Sequence, residues 1–128
     1  MEKWQALNSE AMEYHRKGDI EMTEKKFMEA VKETEKFGPD DIRLSECLDN
    51  VIWIYHTRGK VEEAEGMIRQ SLRIQEKAYG PENEYISWNL SLLADICQGR
   101  GKLEEARELR KRAENIETAK SLPSAGEG

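Results

Sequence analysis

The sequence is poor in cysteine, proline and aromatic residues, and it has no excess of basic charge. Its two cysteines, Cys47 and Cys97, are too few for the disulfide framework of a small secreted domain. We therefore expect two reduced thiols packed as small apolar side chains. The formal net charge is −6, whereas a nucleic-acid-binding protein normally presents a basic patch or stripe. We expect neither nucleic acid nor an anionic membrane surface among its partners.

Long apolar runs are scarce too. The longest clear one, 51–55, is far shorter than the roughly 18 residues that a membrane-spanning helix needs. The N-terminus is amphipathic and acidic, and it lacks the basic start, apolar middle and cleavage site of a signal peptide. These features predict a cytoplasmic protein.

The motifs of catalysis and cofactor binding are missing as well. The sequence has no phosphate-binding P-loop, dinucleotide fingerprint or G-x-S-x-G nucleophile motif. The acidic pairs 62–63 and 104–105 begin predicted helices, where negative charge complements the helix dipole. His15 and His56 recur at one repeat position, but two histidines are too few for a metal site. We predict a non-enzymatic protein with no catalytic residue, cofactor or metal.

What the sequence does contain is an internal repeat. RGKVEEAE at 58–65 returns as RGKLEEAR at 100–107, 42 residues later. Two kinds of turn also recur: a glycine turn at positions 18, 59 and 101, and a Gly-Pro pair at 38–39 and 80–81. Glycine supplies the positive φ that ends a helix, and proline prevents a helix from continuing. The sequence therefore predicts similar structural units separated by turns at a fixed spacing.

Between the turns, the apolar residues follow a helical period. Leu44, Leu48, Val51, Ile52 and Tyr55 trace one helix face, and the same spacing recurs 42 residues later. Small residues at 30, 64, 71, 106 and 113 allow paired helices to approach closely. We predict six helices, at about 2–16, 20–36, 41–57, 61–78, 83–99 and 103–119.

These helices pair into three hairpins, with repeats at about 1–38, 39–80 and 81–120. One hairpin cannot bury its apolar face alone, but three stacked hairpins can. The predicted fold is all-α: an α-solenoid, a right-handed superhelix of three helix-turn-helix hairpins, forming a single domain over 1–120. Arg110 and Glu114 replace apolar residues of the earlier copies and predict an exposed polar cap, followed by a flexible tail at 121–128.

Small and large residues alternate at fixed positions of each unit. These positions are Ala11, Tyr14, Thr23, Phe27 and Ala30 in the first copy, and Ile52, Tyr55, Ala64, Ile68 and Ser71 in the second. The pattern resembles the tetratricopeptide repeat, and the long unit LDNVIWIYHTRGKVEEAEGMIRQSLRIQEKAYGPEN is similar to its kinesin-light-chain type. The resemblance implies a protein or peptide partner, bound in a concave groove lined by the first helix of each hairpin. The lysines of a carboxylate clamp and a ladder of asparagines are missing, so neither mode is expected.

The register of the repeat predicts which residues line that groove. The candidates are Asn8, Met12, Arg16, Glu46, Asp49, Asn50, Trp53, Trp88, Ser91 and Asp95. The same register adds Gln5, His15, His56, Leu92 and Gln98. Trp53 and Trp88 lie off the buried stripe, and interfaces favour tryptophan at their energetic centre. The alternative is that each ring packs at the edge of the core.

The predicted function is a protein–protein interaction module that holds a peptide or protein segment in the concave groove, anchored by the two tryptophans. The three acidic candidates, Glu46, Asp49 and Asp95, suit a partner segment with basic and apolar side chains. The alternative is a self-associating scaffold, a homo-oligomer stacked through an exposed end. Its candidate contact residues are Leu7, Met12 and Met22.

Overall fold

The protein is all-α. The computed structural model describes residues 1–121, and in that range it contains six α-helices and no strand. The helices are α1 (Lys3–Arg16), α2 (Ile20–Thr34), α3 (Ile42–Thr57), α4 (Glu65–Tyr79), α5 (Ser87–Gly99) and α6 (Leu103–Ser121). The six predicted helices are confirmed. The predicted tail begins at the last residue of α6, and its remainder, 122–128, lies outside the described residues.

Short 3₁₀ helices adjoin three of the six helices. They are Glu35–Phe37 after α2, Val61–Ala64 before α4 and Glu84–Ile86 before α5. The fourth and fifth helices were predicted to begin as α-helix at about 61 and 83, but their first turns have the tighter 3₁₀ bonding that is frequent at helix ends. None of the described helices is both long enough and apolar enough to span a membrane.

The described residues form two compact units, one comprising Met1–Ile74 and the other beginning at Gln75. In the first unit, α2 packs on both α1 and α3, and α3 also packs on the 3₁₀ turn that precedes α4. In the second unit, α5 and α6 pack together, and the 3₁₀ turn before α5 packs on both. The division into three repeats stays a prediction.

Small residues permit this close packing. All five predicted positions are buried: Ala30, Ala64, Ser71, Ala106 and Ala113. Large apolar side chains fill the spaces beside them, and Phe27, only 1% exposed, is the largest fully buried one in the first unit. Both cysteines are buried, as predicted, and neither forms a disulfide within the described residues.

The glycine turns share one hydrogen-bond pattern. At the turn after α3, the Gly59 N–H donates to the His56 carbonyl at 3.0 Å, and the Lys60 N–H donates to the Tyr55 carbonyl at 2.8 Å. This is the Schellman motif, which satisfies carbonyls at a helix end and requires a residue with positive φ. Gly59 has a φ of 72°. The same two bonds recur at the turns of Gly18 and Gly101.

Replacement of Gly59 by alanine is expected to lower the free energy of unfolding by about 1–2 kcal/mol, because a side chain disfavours this left-handed conformation. Gly66 lies in α4 at ordinary φ, and a Cβ at either glycine would meet nothing within 4 Å. Gly66→Ala is therefore the matched control, expected to stabilise by about 1 kcal/mol through helix propensity. Urea unfolding followed by circular dichroism measures both, and equal effects of the two changes would contradict the turn assignment.

Candidate peptide-binding face

Helices α1 and α3 of the first unit lie side by side. Three side-chain contacts join them: Glu2 to Arg43 at 3.6 Å, Asn8 Nδ2 to Cys47 Sγ at 3.6 Å, and the rings of His15 and Trp53 at 4.9 Å between centroids. Residue numbers rise together along both helices, so α1 and α3 run parallel. We call their shared surface the α1/α3 face; its predicted residues are Asn8, Met12, Arg16, Glu46, Asp49, Asn50 and Trp53.

This face combines exposed and half-buried side chains. Met12 is 48% exposed, and Arg16 and Glu46 are also exposed. Asn8, Asp49, Asn50 and Trp53 are half-buried. Half-buried residues are supported by the core and still present an edge to solvent, which is the arrangement that a preformed binding surface needs.

Trp53 is the largest side chain of the face. Its ring meets His15 at an interplanar angle of 56°, and its chain neighbours, Ile52 and Ile54, are fully buried. The backbone is therefore held by the core, while the indole extends beside α1. The sequence left open whether this ring binds a partner or only edges the core, and its half-buried state is compatible with both roles.

The acidic character of the face is weaker than the sequence suggests. Glu46 is exposed, and no ion pair to it is found in the described chain. Asp49 instead accepts a hydrogen bond from the Ser71 hydroxyl at 2.6 Å and so points toward α4. Arg16 donates to Glu13 at 2.7 Å, and this bond lowers the pKa of Glu13 and raises that of Arg16.

A polar atom is buried under the face. The Asn8 amide oxygen has no hydrogen-bond partner among the described residues, while its amide nitrogen donates to the Cys47 sulfur. Burial raises the pKa of the Cys47 thiol, so the thiol stays protonated at neutral pH. The sequence predicted Asn8 as a groove residue but carried no signal for its contact with Cys47.

The remaining predicted groove residues lie on α5 in the second unit. Trp88, Ser91 and Asp95 are exposed. Asp95 is bonded to Arg110 of α6 at 2.8 Å, which neutralises its charge locally and leaves Arg110 half-buried rather than exposed as predicted. Glu114 is exposed, in agreement with the predicted cap.

The groove prediction is wrong for one residue. Leu92 was expected to face the groove, yet it is buried. The reason is that α5 buries a wide sector rather than one stripe. That sector comprises Asn89, Leu90, Leu92, Leu93, Ala94, Ile96 and Cys97.

Sequence reasoning missed a cluster at the start of α3, which we call the Arg43 cluster: Glu2, Phe37, Asp41 and Arg43. The Arg43 guanidinium lies 3.5 Å above the centroid of the Phe37 ring and donates to both carboxylate oxygens of Asp41 at 2.9 Å. These bonds and the Arg43 backbone N–H lower the pKa of Asp41 from 3.8 to about 2. A signal was present, since an Asp two residues before an Arg at a helix start can both cap the helix and pair with the cation.

Because the folded-state pKa of Asp41 is depressed, its stabilisation is complete above about pH 4 and is lost as the pH falls toward about 2. Asp41→Asn is expected to flatten the dependence of unfolding free energy on pH in that window. Glu46→Gln, which removes an exposed carboxylate, is the control and should leave the dependence unchanged. Urea unfolding at several pH values measures both; an unchanged pH dependence in Asp41→Asn would contradict the cluster.

No grouping of three or more His, Cys, Asp or Glu side chains suited to a metal ion occurs within residues 1–121. The face has the attributes of a surface for binding another chain: a half-buried aromatic ring, an exposed methionine and flanking polar groups.

Comparison with known proteins gives the fold and the family. The model of the tetratricopeptide repeat matches residues 54–118. The crystal structure of BtubC (BKLC) from P. vanneervenii has a TM-score of 0.75 and 21% identity, covering 94% of this chain and 50% of that one. TPR-like repeats from a Podosopora anserina chain named for kinesin light chain have a TM-score of 0.72 and 23% identity, covering 98% of this chain and 61% of that one.

These similarities confirm the predicted α-solenoid fold class. The chain spans about half of the first of these structures and about three fifths of the second. No curated protein matches the sequence significantly.

Proposed function

Since the chain belongs to the tetratricopeptide repeat family, we propose that its α1/α3 face holds a peptide or an extended segment of a partner protein. Repeats of this family generally form non-enzymatic surfaces that bind other proteins. The fold itself does not choose the partner, because one scaffold hosts many functions. The choice of partner therefore rests on the residues of the face.

The observation that carries the proposal is the pairing of Trp53 with His15 across α1 and α3. A tryptophan fixed by a neighbouring ring loses little side-chain entropy on binding, so more of its contact energy goes into affinity. Exposed Met12 of α1 supplies an adaptable apolar contact on the same face. Tryptophan is also enriched among the residues that dominate interface energies.

The charges favour a segment with basic and apolar side chains. Glu46 is exposed and has no ion pair within the described chain. The Asp49 carboxylate also belongs to this face, although it accepts a hydrogen bond from the Ser71 hydroxyl. Arg16 is already paired with Glu13. A basic partner residue would thus find negative charge on this face, and its attraction should weaken as salt is added.

Selection of peptides from a randomised display library against the full chain tests the proposal. We expect enriched peptides to carry basic and apolar residues and to bind less tightly at high salt. The matched control is the double variant Met12→Glu and Glu46→Lys, which reverses the apolar and acidic character of the face at two exposed positions. Equal binding of the enriched peptides to this variant and to the wild type would contradict the proposal.

The second unit contributes Trp88, Ser91 and Asp95 as predicted partner contacts. Trp88 and Ser91 are exposed, whereas Asp95 already bonds Arg110. Their part in partner binding stays a prediction. Cytoplasmic location stays a prediction as well.

Self-association is the alternative function, and a pair of substitutions on α6 tests whether copies of the chain can associate through this helix. Leu103 is 58% exposed and shares a shallow depression with Arg110 and Glu114. Arg110→Leu combined with Glu114→Leu would join Leu103 in one apolar patch, and we expect this variant to associate while the wild type stays monomeric. Sedimentation velocity measures the change, with Lys32→Leu and Glu35→Leu, two exposed positions on the first unit, as the control.

A wild type that is already dimeric, and becomes monomeric on mutation of Met12, would favour the alternative instead. Of the three residues predicted for such a contact, Met12 is exposed, while Leu7 and Met22 are half-buried. If the double variant stays monomeric, the charged side chains of Arg110 and Glu114 are not what prevents two copies from associating through α6.

A further inference from the structure

The turn between the first and second predicted repeats contains a complete arginine-binding arrangement. The Arg43 guanidinium stacks 3.5 Å above the Phe37 ring and bonds the Asp41 carboxylate, with Glu2 at 3.6 Å. The ring attracts the cation through its quadrupole, and the carboxylates neutralise its charge. The cation here belongs to the chain itself.

The turn 42 residues later shares two backbone features with the first turn. Gly38 and Gly80 both have positive φ, at 109° and 94°. Asp41 accepts from the Arg43 N–H at 2.9 Å, and at the equivalent position Asn83 accepts from the Tyr85 N–H at 3.0 Å. Tyr79 therefore corresponds to Phe37, and Tyr85 corresponds to Arg43.

The second turn has the ring but not the cation. Tyr79 is 54% exposed and Tyr85 is 68% exposed, and their rings lie 5.8 Å apart at 48°. Exposed aromatic pairs are costly to leave in water and are typical of interaction sites. At the position equivalent to Arg43 this turn has Tyr85, so the turn itself supplies no guanidinium to cover the Tyr79 ring.

Two carboxylates lie between the tyrosines in the sequence. Glu82 and Glu84 are exposed, and neither has an ion pair in the part of the chain that the structure describes. The nearby base Arg112 is already engaged, since it bonds Glu76 at 2.9 Å and the Pro81 carbonyl at 3.0 Å. The second turn thus offers aromatic rings and uncompensated negative charge together.

We propose that the Tyr79–Tyr85 pair, with Glu82 and Glu84, is a docking site for an arginine side chain on a basic segment of another protein. The guanidinium would stack on a tyrosine ring, as Arg43 does on Phe37, and bond a flanking carboxylate. Arginine suits this site better than lysine because its planar group can stack and form paired hydrogen bonds at once. The proposal uses none of the residues of the α1/α3 face and does not depend on them.

The probe is a short Gly/Ser peptide containing two arginines, and its control is the same peptide with both arginines replaced by citrulline. Titration is followed by the backbone amide resonances of 79–86 in the full chain. We expect the arginine peptide to shift these resonances, less at high salt, and the citrulline peptide to leave them in place. Tyr79→Ala should weaken binding by roughly three- to thirty-fold.

The decisive variant is Tyr85→Arg, which introduces the residue of the first turn. Its own guanidinium is expected to occupy the Tyr79 ring and abolish binding of the probe, whereas Tyr85→Phe keeps the ring and should retain binding. Trp53→Ala should leave the titration unchanged, so failure here and failure of the α1/α3 face are distinguishable. All these tyrosine changes are at exposed positions, and circular dichroism verifies that each variant is folded.

Three results would overturn the proposal. One is an equal response to the arginine and citrulline peptides. Another is unimpaired probe binding by Tyr85→Arg. The last is a shift of 79–86 with protein concentration alone, which would mean that a second copy of this chain covers the tyrosines.

Discussion

Trp53→Ala is expected to weaken binding of a display-selected peptide by about 2 kcal/mol or more, a loss of roughly thirty-fold in affinity. The indole is the largest side chain of the α1/α3 face, and its ring is held against His15 at 4.9 Å. Truncation removes the contact area and also the support that His15 receives. Isothermal titration calorimetry with the selected peptide measures the loss.

The fold should tolerate this change better than the loss of a core aromatic ring, because Trp53 is half-buried. Met28→Ala is the control for binding: Met28 is 39% exposed and lies on α2, away from the candidate residues. We expect the control to bind the peptide as the wild type does. A large loss of stability in Trp53→Ala with unchanged peptide affinity would show that the ring belongs to the core.

Phe27→Ala is expected to cost about 3–5 kcal/mol of unfolding free energy, the largest effect on stability predicted here. Phe27 lies on α2, which packs on both α1 and α3, and its side chain is 1% exposed. The cost combines the lost burial of the ring with the cavity that it leaves. For a domain with a total stability of about 5–15 kcal/mol, such a loss removes a large part of the margin.

Met28→Ala again serves as the control, since it truncates the adjacent, exposed residue of the same helix and should change stability by less than about 1 kcal/mol. Urea unfolding monitored by circular dichroism compares the three proteins. Similar midpoints for Phe27→Ala and Met28→Ala would contradict the packing of α2 between its neighbours.

The glycine turns between helices could be predicted because their chemistry is local. Gly59 ends a helix through its own φ and two backbone bonds, and the flanking residues carry the signal. The small residue Ala64 was likewise predictable, since a close helix pair needs a small side chain whatever its partner. Such features depend on a few neighbouring residues, which a single sequence displays directly.

The full set of buried residues on α3 could not be predicted from the one apolar stripe that the helical period reveals. Ile54 is fully buried although it lies outside the stripe that Leu44 and Leu48 begin. The cause is that α3 packs on α2 and also on the 3₁₀ turn before α4, so more than one stripe of the helix is covered. Which further faces of a helix become covered depends on the tertiary arrangement, which the period of one helix does not contain.

The pairing of side chains between different helices could not be predicted either. Asp49 and Asp95 were expected to give the groove its acidity, but one bonds Ser71 and the other bonds Arg110. These partners are 22 and 15 residues away along the chain. The number of unpaired charges that a sequence predicts for a face is therefore an upper limit, because residues of a neighbouring helix can pair with some of them.

The methionine methyl groups give the most direct measurement of the central claim. Met12 lies on the α1/α3 face and Met28 on α2, and both are exposed enough to respond to a bound chain. With methyl-labelled methionine, addition of a display-selected peptide is expected to shift the Met12 resonance and leave Met28 unchanged. A shift of Met28 with Met12 unmoved would place the partner elsewhere and contradict the account.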